Sequence, residues 1–196
     1  MIALIIGHSY VRDLKSHSES LIANKLALVN GGCIELKFIC VNCATFNSFF
    51  RSPSVLSLML EIKPDIICVI LGGNDFKGGI ELSAIKNTCI DFYAKIKSIF
   101  PGAIIVASQV EKRFVEAGDR YSRFGVPPPE LFKKLSVYFN SWINKQKFKD
   151  RILCIRGKSK LDDIKFYRDS VHLNNQGIAK YFDILSSLLV DIVSNQ

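Results

Sequence analysis

The sequence predicts an α/β protein built on a parallel, doubly wound sheet, because short apolar runs rich in β-branched residues alternate with longer amphipathic stretches. Two further observations support this class. Several of the runs, such as Ile66-Ile67-Cys68-Val69-Ile70, are apolar throughout, as strands buried on both faces must be. Polar, glycine-containing segments follow directly after apolar runs, which is where ligands bind in such sheets. A chain of 196 residues accommodates one domain with one sizeable core, and no internal repeat, low-complexity tract or linker divides 1–196.

Five strands and five helices are expected, in alternation. The first strand covers 2–6 and is followed by a helical stretch over 11–29. A second strand covers 34–41, and Pro53 opens a helix over 53–62. Pro64 stops that helix before a third strand over 65–71. A helix over 82–100 ends at Pro101-Gly102, which precedes the fourth strand over 103–108. After the Pro127-Pro128-Pro129 stop come a helix over 129–147, a fifth strand over 151–154 and a last helix over 174–193. The connection from Gln109 to Pro128 is long enough to be a lid or recognition segment, or a plain surface excursion.

Composition excludes several classes. With 48% hydrophobic and 22% charged residues and a mean hydropathy of +0.20, the chain is neither disordered nor membrane-spanning; no run approaches the ~18 residues a span needs. The net charge of +8 is concentrated between Lys112 and Arg168, where 15 Lys/Arg face 6 Asp/Glu. Such a region reads either as a solubilising face or as a surface for nucleic acid or another anionic partner. No aromatic RNA-binding signature or Cys/His finger accompanies it. The six cysteines lie mostly in apolar runs and read as small core residues. Cys40-x-x-Cys43 has zinc or redox spacing but lacks a second pair, so neither a metal nor a cofactor is expected. Free thiols, the absence of a basic leader before the first strand and the lack of an Asn-x-Ser/Thr acceptor together lead to an expectation of cytoplasmic residence.

Candidate chemistry sits after the strands, at Gly7-His8-Ser9, Gly72-Gly73-Asn74-Asp75 and Asp169-Ser170-Val171-His172. A serine hydroxyl is a poor nucleophile unless a histidine takes its proton and a carboxylate orients that histidine. Of the three histidines, His17 lies among polar helical residues, and His8 adjoins Ser9 on extended backbone, where neighbouring side chains diverge. His172 remains. Asp169, three residues earlier, can reach its ring within one turn, and Asn174 can cap the helix that follows. Asn74 can donate to the oxyanion of a tetrahedral intermediate, with Gly72 and Gly73 allowing close approach of backbone to substrate. Gly-x-Ser-x-Gly is absent, since position 11 is Val, and no phosphate-binding glycine loop follows the first strand.

The ordered set Gly7-His8-Ser9, Gly72-Gly73-Asn74-Asp75 and Asp169-Ser170-Val171-His172-Leu173-Asn174 resembles the SGNH, or GDSL-like, hydrolases over nearly the whole chain. The resemblance implies a flavodoxin-like three-layer α/β/α sandwich with a five-stranded, mainly parallel sheet, and ester hydrolysis without metal or cofactor. It implies Ser9 as nucleophile, Asn74 as an oxyanion donor, and Asp169 with His172 completing the triad. Two departures stand out. His8 replaces the acid that the family usually carries before its serine. The second block, Val41-Asn42-Cys43-Ala44-Thr45, lacks the usual glycine donor, leaving the backbone of Cys43 or of Ala44 for that role. The Gly7-His8-Ser9-Tyr10-Val11-Arg12 form also resembles a variant of this domain in animal proteins, some of them encoded by or derived from retroelements. Two functions are therefore expected as alternatives: an acyl-ester hydrolase, or an inactive domain of the same fold that binds an anionic partner through 112–168. Arg12 is expected either to meet an anionic substrate group or to pair with Asp13 or Asp75.

Overall fold

A computed structural model describes residues 1–21, 25–28, 31–76, 80–111, 129–147, 149–153, 161, 163–169 and 171–195. In chain order the elements are β1 (Ile2–Gly7), α1 (Ser9–Ser20), β2 (Lys25–Ala27), β3 (Cys33–Cys40), α2 (Pro53–Ile62), β4 (Ile66–Ile70), α3 (Leu82–Ile99), β5 (Ile104–Ser108), α4 (Pro129–Ile143), β6 (Arg151–Leu153) and α5 (Asn175–Ser194). Short 3₁₀ helices at Phe49–Arg51 and Ile164–Phe166 precede α2 and α5.

The sheet order is β2-β3-β1-β4-β5-β6, and every pairing from β3 to β6 is parallel. The five parallel strands thus follow the doubly wound order in which the chain switches direction beside the first strand. Alternate residues of β1 face opposite layers. Leu4 and Ile6 join the core under α2, α3 and α4, while Ala3 and Ile5 join the core under α1 and α5. The three-layer α/β/α sandwich expected from the sequence is therefore present, with one apolar core on each face of the sheet.

The helix expected over 11–29 is shorter. It ends at Ser20, and Lys25–Ala27 instead form an antiparallel edge strand, with Lys25 opposite Glu35 and Ala27 opposite Cys33. The reason is a change of period: Leu26 and Leu28 alternate with Lys25 and Ala27 and turn inward onto the core. Gly31, at φ +81°, closes the hairpin, its N–H donating to the Leu28 carbonyl at 3.1 Å. Among the described residues the sheet consequently has six strands, five of them parallel. The helix expected over 129–147 also stops early, at Ile143; Lys145 and Gln146 then bond back three residues, to Trp142 and Ile143.

Gly7 lies in register with Cys40 of β3 and Ile70 of β4, so three strands end at one level. A Cβ at Gly7 would sit 2.2 Å from the Ile70 carbonyl oxygen, so only glycine lets β1 and β4 close there. Among the described residues, no helix is long and apolar enough to cross a membrane.

Candidate active site

The segments leaving β1, β3 and β4 emerge side by side at the switch point, and all the candidate residues before position 100 lie on them. Ser9 is the first residue of α1 and is half-buried. Its hydroxyl sits at the positive end of the helix dipole, which favours negative charge. His8 is the N-cap: its Nδ1 accepts from the Tyr10 N–H at 3.5 Å, and the ring is buried. The imidazole that replaces the usual acid thus performs a helix-capping task that an aspartate side chain also performs. Cys40 Sγ donates to the His8 carbonyl at 3.3 Å and fixes the same turn from β3.

Asp169 and His172 form the expected pair. His172 Nδ1 lies 2.8 Å from Asp169 Oδ2 and 3.1 Å from Oδ1, and the His172 backbone N–H donates to Oδ1 at 2.7 Å. Val171 N–H adds a third donor at 3.2 Å. Partial burial alone would raise the Asp169 carboxyl, but these hydrogen bonds and the His172 ring outweigh it and hold the group below its ordinary value. Asn174 caps α5 through Oδ1, which accepts from Gly177 N–H at 3.0 Å. The loop carrying the pair is therefore closed at its C-terminal side by a rigid helix.

Two contacts tie that loop to the helix that begins at Ser9. The Tyr10 hydroxyl donates to the Val171 carbonyl, and the Tyr10 ring lies 6.4 Å from the His172 ring. One turn on, Asp13 pairs with Arg168 at 3.3 Å, while Arg168 N–H donates to the His172 carbonyl at 2.8 Å. Arg12 pairs with Asp13 at 3.2 Å rather than with Asp75. Behind Tyr10, Tyr181 stacks at 6.3 Å, and its hydroxyl donates to the buried Glu111 at 3.1 Å.

Gly72 has a φ of +106°, and a Cβ there would lie 2.7 Å from Val110, so the turn after β4 needs glycine on both counts. Gly73 is buried beside it. Asn74 Nδ2 donates to the Ala44 carbonyl at 3.2 Å, and the Asp75 carboxylate accepts from Phe46 N–H at 3.1 Å. Both bonds lock the β4 turn to the β3 turn. Ala44 N–H itself donates to Val41 O at 3.2 Å. Cys43 has a φ of +54°, the left-handed conformation that a glycine would take at no steric cost. At Cys43 this conformation carries about 1–2 kcal/mol of strain that a glycine would not.

Beside these turns lies a cavity of about 500 Å³ lined by Cys43 and Asn74 from the expected set and by Asp75, together with residues of the turn and 3₁₀ helix before α2, Ile80 and residues of α3. Ser9 and His172 do not line it. The cysteines divide differently from expectation: Cys68 and Cys89 are buried, whereas Cys33 and Cys43 are exposed and Cys40 is half-buried. Cys33 lies at the start of β3. Cys154, the 112–128 part of the expected lid and much of the basic region lie outside the described residues. His17 is half-buried with its ring 5.5 Å from Phe182.

No family model matches the sequence, and no curated protein sequence matches it. Solved structures do match. A carbohydrate esterase of family 3 from Talaromyces cellulolyticus superposes with a TM-score of 0.65 at 11% identity, over 100% of both chains. A GDSL-like lipase from Bacteroides thetaiotaomicron gives 0.60 at 13% identity, over 99% of this chain and 88% of that one. A protein of Slackia heliotrinireducens, provisionally described as an SGNH hydrolase, gives 0.67 at 12% identity, over 96% and 98%. The chain has the SGNH hydrolase fold. The SGNH motifs point to Ser9, Asn74, Asp169 and His172, but not to Tyr10, Asp13 and Arg168, which join the two halves of the candidate site. Asp13 and Arg168 are 155 residues apart, and their pairing has no local signal in the sequence.

Proposed function

We propose that this protein is a carboxylic-ester hydrolase in which Ser9 is the nucleophile, His172 the general base and acid, and Asp169 the group that orients His172. The observation that carries the reading is the Asp169–His172 pair at 2.8 Å, on a loop that Tyr10 ties to the first turn after Ser9. Asp169 accepts from His172 Nδ1, which selects the tautomer with Nε2 free to take a proton. Ser9 then attacks the ester carbonyl as His172 removes its proton, and the same proton passes to the departing alcohol. Water repeats the sequence on the acyl-enzyme and regenerates the hydroxyl.

The tetrahedral oxyanion needs donors fixed before the reaction. Asn74 carries two hydrogens on its amide nitrogen, and the bond to Ala44 O orients that nitrogen. Of the two backbone groups in the β3 turn, Ala44 N–H is bonded to Val41 O, so we assign the second donor to Cys43 N–H. Gly72 and Gly73 keep side chains away from the carbonyl's approach. No metal or cofactor enters this scheme.

Intact-mass measurement after treatment with a fluorophosphonate reports an activated serine without knowledge of the substrate. One adduct is expected on the wild type and none on Ser9→Ala. A folded wild type that takes no adduct would falsify the esterase reading.

A further inference from the structure

The 500 Å³ cavity has a second set of lining residues that the catalytic scheme does not use: Thr45, Ser48, Arg51, Ile80, Ile85 and Thr88 are the ones that bear on its chemistry. Its volume suits a small ligand arm. Ile80, Ala84 and Ile85 give it an apolar part, and its other lining residues are mostly polar.

Most of the polar side chains there already have partners. Thr45 N–H donates to Ser48 Oγ at 2.9 Å, and Ser48 N–H returns a bond to Thr45 Oγ1 at 3.1 Å. Thr88 Oγ1 donates to the Ala84 carbonyl at 2.9 Å. The Asp75 carboxylate is buried and accepts from Phe46 N–H. Arg51, the one cationic lining residue, differs. It is exposed and lines the cavity, and among the described residues it pairs with no carboxylate.

Arg51 is also held still at its base. The reciprocal Thr45–Ser48 bonds fix the turn, Arg51 N–H donates to Ser48 O at 3.1 Å, and Phe49 in the same 3₁₀ helix is fully buried. A guanidinium on a rigid base, facing a cavity whose other donors are mostly satisfied, is a preorganised site for a carboxylate.

The direction of the ester follows from the proton transfers. His172 delivers its proton to the leaving alcohol, so the alcohol lies on the His172 side of the carbonyl. The cavity touches the proposed oxyanion donors but neither Ser9 nor His172. It therefore lies on the acyl side. Resting on the esterase reading, we propose that the cavity receives the acyl arm, that its methylenes lie against Ile80 and Ile85, and that Arg51 binds a terminal carboxylate. The preferred substrates are then monoesters of short dicarboxylic acids rather than neutral fatty esters.

The test compares aryl monoesters of succinic and glutaric acid with the butyrate and valerate esters of the same phenol. The wild type is expected to show a higher kcat/KM for the anionic member of each pair. In Arg51→Gln the ratio of anionic to neutral kcat/KM should fall about tenfold or more, with Arg51→Lys keeping part of it. A wild type that favours the neutral esters, or a ratio that survives in Arg51→Gln, overturns the proposal while leaving the esterase reading standing. Fluorophosphonate labelling of Ser9 without turnover of either ester class also overturns it. Loss of both labelling and turnover overturns the esterase reading, and this proposal with it.

Discussion

Asp169 shows how one side chain is set for its task. Three donors converge on its carboxylate, two of them backbone N–H groups of its own turn, and they keep it ionised below the ordinary carboxylate range. Asparagine at this position would turn an N–H toward the imidazole and favour the wrong tautomer. Asp169→Asn is therefore expected to lower kcat by about 100- to 10,000-fold with the fold retained, measured on any ester the wild type turns over. The sign of the pH effect on stability also follows. Because the folded carboxyl titrates below the unfolded one, its contribution is complete above the unfolded value of about 4 and is lost as pH falls through the folded value. The melting temperature of the wild type should thus fall more steeply below about pH 4 than that of Asp169→Asn. Equal slopes would show that the pair adds nothing to folding. His8 and Cys43 make the complementary point: one caps α1 through its ring nitrogen, and the other adopts a left-handed backbone that glycine would take more readily.

At the scale of elements, α1 and the loop before α5 work as a unit. Tyr10 and Asp13 lie three apart on α1, so they project from neighbouring positions of the same helix and meet the loop at Val171 and Arg168. Asp13 is largely buried, with a side-chain exposure of 10%, and it holds Arg168, whose own N–H is bonded to His172 O. Asp13→Ala should let the His172 loop shift relative to Ser9. We expect kcat to fall by up to about 100-fold with KM little changed, and Asp13→Glu to restore part of the loss. If kcat is unaffected while the melting temperature drops, the clamp supports the fold and not the reaction.

At the scale of the molecule, burial sorts the thiols. Burial pushes the Cys68 thiol up to about 12 and raises Cys89 further, whereas Cys33 and Cys43 are exposed. Maleimide at neutral pH is expected to modify Cys33 and Cys43 in the native protein, and Cys68 and Cys89 only as the core opens. Mass mapping of the adducts against time checks this, and fast modification of Cys68 would contradict the burial of β4. The sequence by itself determined the five parallel strands, because runs such as 66–70 are apolar throughout, and it determined the Asp169–His172 pair, because three residues of separation fit one turn. It also marked the turns after β1 and β4 through glycines that no other residue can replace at Gly7 and Gly72. Only the tertiary structure decided the rest. The edge strand β2 exists because β3 is there to pair with it, and three residues carry too little pattern to outweigh an adjoining helical stretch. Asp13 meets Arg168, and Arg51 and Asn74 line one cavity, because segments far apart in the chain come together. Such contacts are set by how the layers stack on the sheet, and local periodicity holds no trace of them.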